Sequence, residues 1–394
     1  MMMDEKLLYA VELLEGFDGF YYHEAFESAD DNLRECIENF KELARVGFEL
    51  ECASLSDNYS ADVFGVKVET EALEYFHDAL EEITDVAWEE ATDNLQDALY
   101  TLRDIVTDCS VQSELITEPL EIKEIEPVLN FWLWFLHKCD LECSPEHGAG
   151  CHMTVSLKDR RLPDFVKANV EQLTVRFALP LALLSWRECH SERDRGYFNL
   201  NSMHANYNTM GIVLWENEAE GKILLSMRNK YSFVHDKEFP TNTAFEFRYP
   251  DASMNARHLW RVAIVNMAIV LKALKISYYW GGIIQWNLAN TVNAYDVIDE
   301  LNSFPDIQGA IKKYDRHIKE FLDFIRPEIE EITDGHYDEW FEDAFDVYAR
   351  DEYDFMPAHF GIYPDLKLNL ADYIDRDYED EYIDDYKYDE DLYL

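Results

Sequence analysis

The sequence predicts an α+β chain built on a largely antiparallel sheet with flanking helices, and three observations carry that prediction. Short runs alternate apolar and charged residues with the period of two that half-exposed strands require. Longer runs between them repeat apolar residues at helical spacing. The two kinds do not follow one another in the regular strand–helix rhythm of parallel units, so hairpins and helices must join antiparallel strands.

Residues 4–45 read as helical, with Leu7, Leu8, Val11 and Leu14 and then Leu33, Cys36, Ile37, Phe40 and Leu43 recurring on one face. The pattern then changes to Val46-Gly47-Phe48-Glu49-Leu50-Glu51-Cys52, a strand that sends Phe48, Leu50 and Cys52 to one side and Glu49 and Glu51 to the other. Residues 66–106 read as an acidic helical insertion packed outside the sheet, its stripe formed by Leu73, Phe76, Leu80, Ile83 and Trp88. Ser113 to Thr117 is a second strand, closed by Glu118-Pro119, and Val128 to His137 an aromatic-rich helix.

Cys151 to Leu157 alternates as a strand, residues 163–186 read as helix and 190–210 as a polar loop. Ile212–Trp215, Lys222–Met227 and Ala244–Tyr249 read as three further short strands, and Arg257 to Leu274 as a long buried helix. The domain plan is a helical segment at 1–45, the sheet domain at 46–290, a helical region at 291–370 and an acidic tail at 371–394. Loops about 54–66, 187–210 and 275–290 are the expected substrate walls.

The 394 residues carry 34 Lys+Arg against 81 Asp+Glu, a formal charge of -47. Neutralising phosphates needs a basic footprint, so direct binding of nucleic acid is not expected. Residues 157–272 are the exception, with 16 Lys+Arg against 13 Asp+Glu, and an anionic substrate is expected there. No apolar run approaches the roughly 18 residues that cross a bilayer, and the N-terminus lacks the pattern of a secretory signal, so a cytoplasmic location is expected. Seven irregularly spaced cysteines read as reduced thiols.

The chemistry lies in charged residues set on strands. Glu49-x-Glu51, Glu114, His152 after a Gly-x-Gly turn, and Glu246-x-Arg248 each present polar side chains from one strand face. Adjacent antiparallel strands bring such side chains together, and crowded carboxylates need a counter-charge. A hard divalent cation with oxygen ligands, able to bridge nucleotide phosphates, supplies it. The residues taken alone therefore point to a metal–nucleotide site on a sheet.

Four segments extend that reading. Phe245-Glu246-Phe247-Arg248-Tyr249-Pro250-Asp251-Ala252-Ser253-Met254-Asn255, running into an apolar helix, resembles the Glu-x-Arg-x-Pro-Asp-x-Ser-x-Asn segment of glutamine synthetases. Gly148-Ala149-Gly150-Cys151-His152-Met153-Thr154-Val155-Ser156 is similar to the Gly-x-Gly-x-His-x-His-x-Ser of the same superfamily. Val46 to Glu51, and Asp108 to Val111 followed by Ser113 to Leu120, resemble the first two strands of the amidoligases.

The resemblance, over residues 46–275, implies a glutamine synthetase-like fold and an ATP-dependent carboxylate–amine ligase. Such an enzyme phosphorylates a carboxylate with ATP, and an amine then displaces phosphate to form an amide. By matched position Glu49, Glu51, Glu114 and Glu246 would hold Mg²⁺ or Mn²⁺, divided between two ions. His152 would contact metal or phosphate, and Arg248 would hold phosphate or the substrate carboxylate. Arg228 and Lys230, with Arg187, Arg193 and Arg195 behind them, are the expected contacts of the polyphosphate.

One residue departs from the pattern. Thr154 stands where the superfamily has a second histidine, and a hydroxyl cannot act as a nitrogen ligand. An inactive ligase fold serving as an interaction protein therefore stays open beside the enzyme. So does a polyanion mimic, because the tail at 371–394 holds 11 acidic residues and six Tyr that suit a basic protein partner. Cys139, Cys143, His147 and Cys151 form a second possible centre, for zinc, although their spacing lacks the usual Cys-x₂-Cys turn.

Overall fold

In a computed structural model the described residues are 17–22, 26–54, 101–106, 113–138, 141–143, 149–177, 180–181, 184, 234–250, 252–286 and 307–335. The tail, the zinc candidates Cys139 and His147, the strands expected at 212–215 and 222–227, and Arg187, Arg193, Arg195, Arg228 and Lys230 lie outside them.

The described elements begin with β1 (Phe17–Tyr22), α1 (Phe26–Glu38) and α2 (Phe40–Leu43). β2 (Ala44–Ser54), β3 (Leu102–Val106) and β4 (Ser113–Thr117) follow, then α3 (Ile122–Lys138) and β5 (Leu141–Glu142). β6 (Cys151–Leu157) and α4 (Asp164–Arg176) precede the hairpin of β7 (Val234–Glu238) and β8 (Thr243–Phe247). α5 (Ala256–Trp280), β9 (Gly282–Trp286) and α6 (Ile307–Ile332) complete the set.

Six strands pair in the order β3-β4-β2-β6-β8-β7, and β5 joins the far end of β2. Every pairing is antiparallel, so the α+β class is observed as expected. The period of two along β2 explains why this sheet has one dry and one polar face. Phe48, Leu50 and Cys52 are fully buried on the dry face with Leu115, Met153, Val155, Phe245 and Phe247. Glu49 and Glu51 point the other way, and burial of each large apolar side chain stabilises this orientation by roughly 1.5–3 kcal/mol.

The dry face rests on α5, nearly every residue of which is buried. An all-round apolar helix belongs in the centre of a core, and α5 packs against α1, α3, α4, α6, β6 and β9. Asn255 caps its start by accepting the His258 backbone N–H at 2.8 Å. Gly281, at φ 69°, closes its end in the left-handed conformation that favours glycine.

Polar contacts fix what apolar packing leaves loose. Tyr249 Oη donates to Asn266 Oδ1 at 2.5 Å, tying the exit of β8 to α5. Lys272 and Lys275 of α5 each meet Glu328 of α6 at 3.1 Å, and Lys275 also meets Glu331 at 2.6 Å.

Three stretches differ from the reading of the sequence. Phe17–Tyr22, expected within a helix, pairs as a strand with β9, which itself lies in a stretch expected as loop. Its Phe-Asp-Gly-Phe-Tyr-Tyr composition suits a strand better than a helix. Leu102–Val106, expected as the end of the helical insertion, is the edge strand β3 beside β4. Leu33, Cys36 and Phe40 of the N-terminal helices join the same core as the sheet. Among the described residues, no helix is long and apolar enough to cross a membrane.

Candidate functional site

The polar face of the sheet gathers the charged residues by register alone. Glu51 of β2 stands directly opposite Glu114 of β4, and Glu49 opposite His152 of β6. Across β6, Thr154 is opposite Glu246 of β8, and Glu246 in turn faces His235 of β7. Four neighbouring strands therefore deliver Glu114, Glu49, Glu51, His152 and Glu246 to one surface, each next to a residue of the following strand.

The contacts are close. His152 Nδ1 lies 3.0 Å from Glu49 Oε2, 3.7 Å from a Glu246 oxygen, and its Nε2 lies 3.7 Å from Glu51. With a carboxylate as acceptor, Nδ1–H donates to Glu49 and Nε2 stays available as a nitrogen ligand. Glu51 accepts the Gly150 backbone N–H at 2.6 Å, while its own N–H donates to the Gly150 carbonyl at 3.1 Å. Gly150 is thus latched to β2 two residues before His152.

Burial alone would push the Glu49 carboxyl up, but the His152 hydrogen bond and charge and the Lys237 ammonium overcome it and hold the group down to about 2. Glu246 is only 2% exposed. Its oxygens meet Arg248 at 3.0 Å and Lys237 at 3.1 Å, so a buried carboxylate has cationic partners on both sides.

All six residues singled out as a strand-borne constellation share this face, and Arg248 completes them from just beyond β8. Lys237 and His235 are additions that the sequence reading missed. Val234-His235-Asp236-Lys237-Glu238 carries too many charged residues to read as an alternating strand. Its signal was the turn Pro240-Thr241-Asn242 before β8, which makes the preceding residues the partner strand of a hairpin.

The chain matches no protein-family model, and no curated protein matches it. Among solved structures it is similar to "Apo GmaS without ligand", with 12% identity, a TM-score of 0.42 and coverage of 82% of this chain and 72% of that one. A GmaS/ADP complex aligns at 12% identity and TM-score 0.40, covering 81% and 76%. The complex of the prokaryotic ubiquitin-like protein Pup with its ligase PafA aligns at 12% identity and TM-score 0.37, covering 77% and 66%.

The donor set suits a divalent ion. Ligand atoms of Glu49, Glu114 and His152 all lie within 4.8 Å of one another, and carboxylate oxygens with one imidazole nitrogen fit Mg²⁺ or Mn²⁺. Arg248 Nε is buried and makes no hydrogen bond, which leaves a donor for an anionic group beside the acidic cluster. The four cysteines described are buried, and Cys143 Sγ lies 3.3 Å from Cys52 Sγ. Among the described residues no metal-ligating group contains a cysteine.

Proposed function

We propose that this chain is an ATP- and divalent-metal-dependent ligase that joins a carboxylate to an amine through an acyl phosphate. One observation carries the reading: antiparallel register sets Glu49 opposite His152 and Glu51 opposite Glu114, and ligand atoms of Glu49, Glu114 and His152 lie within 4.8 Å of one another. The order of the strand motifs along the chain supports the same reading, and with it a glutamine synthetase-like domain at 46–290.

The proposed roles follow from the contacts. Glu49, Glu114 and His152 would hold the cation, and Glu51 fixes Gly150, two residues before His152. The bound cation would supply charge neutralisation across the ATP phosphates. Arg248 and Lys237 steady the phosphoryl group in transfer and the carboxylate that receives it, since phosphoryl transfer needs placed charge more than covalent help. Arg228 and Lys230 are proposed for the polyphosphate. The substrate class spans small molecules, peptides and proteins that present a carboxylate or an amine.

Purified protein should hydrolyse or transfer ATP only with Mg²⁺ or Mn²⁺, and Glu49→Ala or Glu114→Ala should reduce that turnover at least about 100-fold. Unchanged turnover in both variants would sink the assignment. Thr154 favours a second reading, an inactive fold that engages a basic partner through its acidic surface. That reading expects no rise in melting temperature with Mg²⁺–ATP, because a ligand that binds the native state must stabilise it.

A further inference from the structure

Four carboxylates and two fixed cations meet on the polar face. Glu49, Glu51, Glu114 and Glu246 bring four negative charges, and Lys237 and Arg248 bring two positive ones. These carboxylates exceed these cations by two charges, and one divalent ion carries two.

Geometry divides the face the same way. Lys237 Nζ sits between two carboxylates, 3.1 Å from Glu246 Oε2 and 3.4 Å from Glu49 Oε1. Arg248 holds the other Glu246 oxygen at 3.0 Å. Both oxygens of the most buried carboxylate of the face are therefore engaged by side-chain cations, and Glu246 falls outside the set whose ligand atoms converge. A metal ion there would have to expel Lys237 and would place two or more positive charges beside Arg248.

We infer that the face takes a single divalent cation, at Glu49, Glu114 and His152, and that the Lys237 ammonium fills the place beside Glu246 that a second ion would occupy. The inference rests on the metal site proposed above. An ammonium is a compact cation with three donors. It can balance a carboxylate and steady a phosphate oxygen, but it opens no coordination position for water or substrate. Lys237 thus gives β7 a part in the site that four separate strands already share.

The test is the number of Mn²⁺ ions bound by the full chain, from the loss of the free-ion electron paramagnetic resonance signal on titration. One ion per chain is expected. Lys237→Met, which keeps the stem and removes the charge, should admit a second and weaker ion, whereas Lys237→Arg should stay at one. Glu246→Gln should still bind one ion, as expected for a residue that is not its ligand, and it serves should Lys237→Met fail to fold.

Two ions in the unmodified protein, or a Glu246→Gln variant that binds none, would overturn the inference while leaving the metal site intact. No bound Mn²⁺ at all would overturn both. One ion without ATP turnover would leave the inference standing and remove only the ligase reading.

Discussion

His152 Nδ1 lies 3.0 Å from Oε2 of Glu49, and the two residues are direct partners across β2 and β6. The pairing orients the imidazole and holds the Glu49 carboxyl down to about 2 against the opposing effect of burial. A depressed carboxylate contributes stability that is present above its unfolded pKa and is lost as pH falls through the folded one. The carbon-13 shift of the Glu49 carboxyl should therefore titrate well below the ordinary 4.5 in unmodified protein and move back toward it in His152→Ala. A midpoint near 4.5 in both would show that the pair is not formed in solution.

The same pair should govern metal affinity. Replacing Glu49 by Gln keeps the volume but removes both a charged oxygen ligand and the acceptor for Nδ1–H, and loss of the orienting partner alone typically costs about 10–100-fold in metal affinity. Isothermal titration with Mn²⁺ reads the change directly; an effect under about threefold would place the ion elsewhere.

On the opposite face, Glu171 of α4 is buried with neither oxygen hydrogen-bonded. Burial, reinforced by Asp236 and only partly offset by Lys167, pushes its carboxyl up to about 8. A raised acid contributes stability that is full below the unfolded pKa and is lost as pH rises through the folded one. Glu171→Gln should thus be more stable than the unmodified protein at pH 7, by roughly 3 kcal/mol on the shift alone. The difference should vanish near pH 4, and urea unfolding at both pH values tests this. Equal stability at pH 7 would mean that Glu171 is solvated.

Glu328 anchors α6 to α5 through Lys272 and Lys275, and it is almost wholly buried. Removing one member of a buried pair leaves the others uncompensated, at a cost of about 3–5 kcal/mol. Glu328→Ala should lower the unfolding midpoint sharply, while Glu331→Ala, which removes the more exposed partner, should cost under about 1 kcal/mol. Comparable losses would argue against a buried anchor.

Tyr249→Phe removes the donor to Asn266 and leaves a buried amide oxygen without that bond. About 2 kcal/mol of stability should go with it. In Tyr249→Phe/Asn266→Leu the second change should cost less than it does alone, a coupling that a double-mutant cycle measures.

Local pattern made β2, β4, β6, β8, α3 and α5 legible, because each keeps one period and one apolar face long enough to be read. Glu49, Glu51, Glu114, His152 and Glu246 were legible as strand residues of one polar face for the same reason. β1, β3 and β9 were not, since a short strand takes its identity from the partner that satisfies its backbone hydrogen bonds. β7 was hidden by its own charges, and with it Lys237.

Periodicity thus determined which residues face the polar side, and composition determined that a counter-charge is needed there. Register decided the rest. Which carboxylate meets the imidazole, which is clasped by Arg248 and Lys237, and which stay close enough to share an ion depend on how separate strands align. That alignment is set by packing on α5, a helix contributed from beyond the last strand of the sheet.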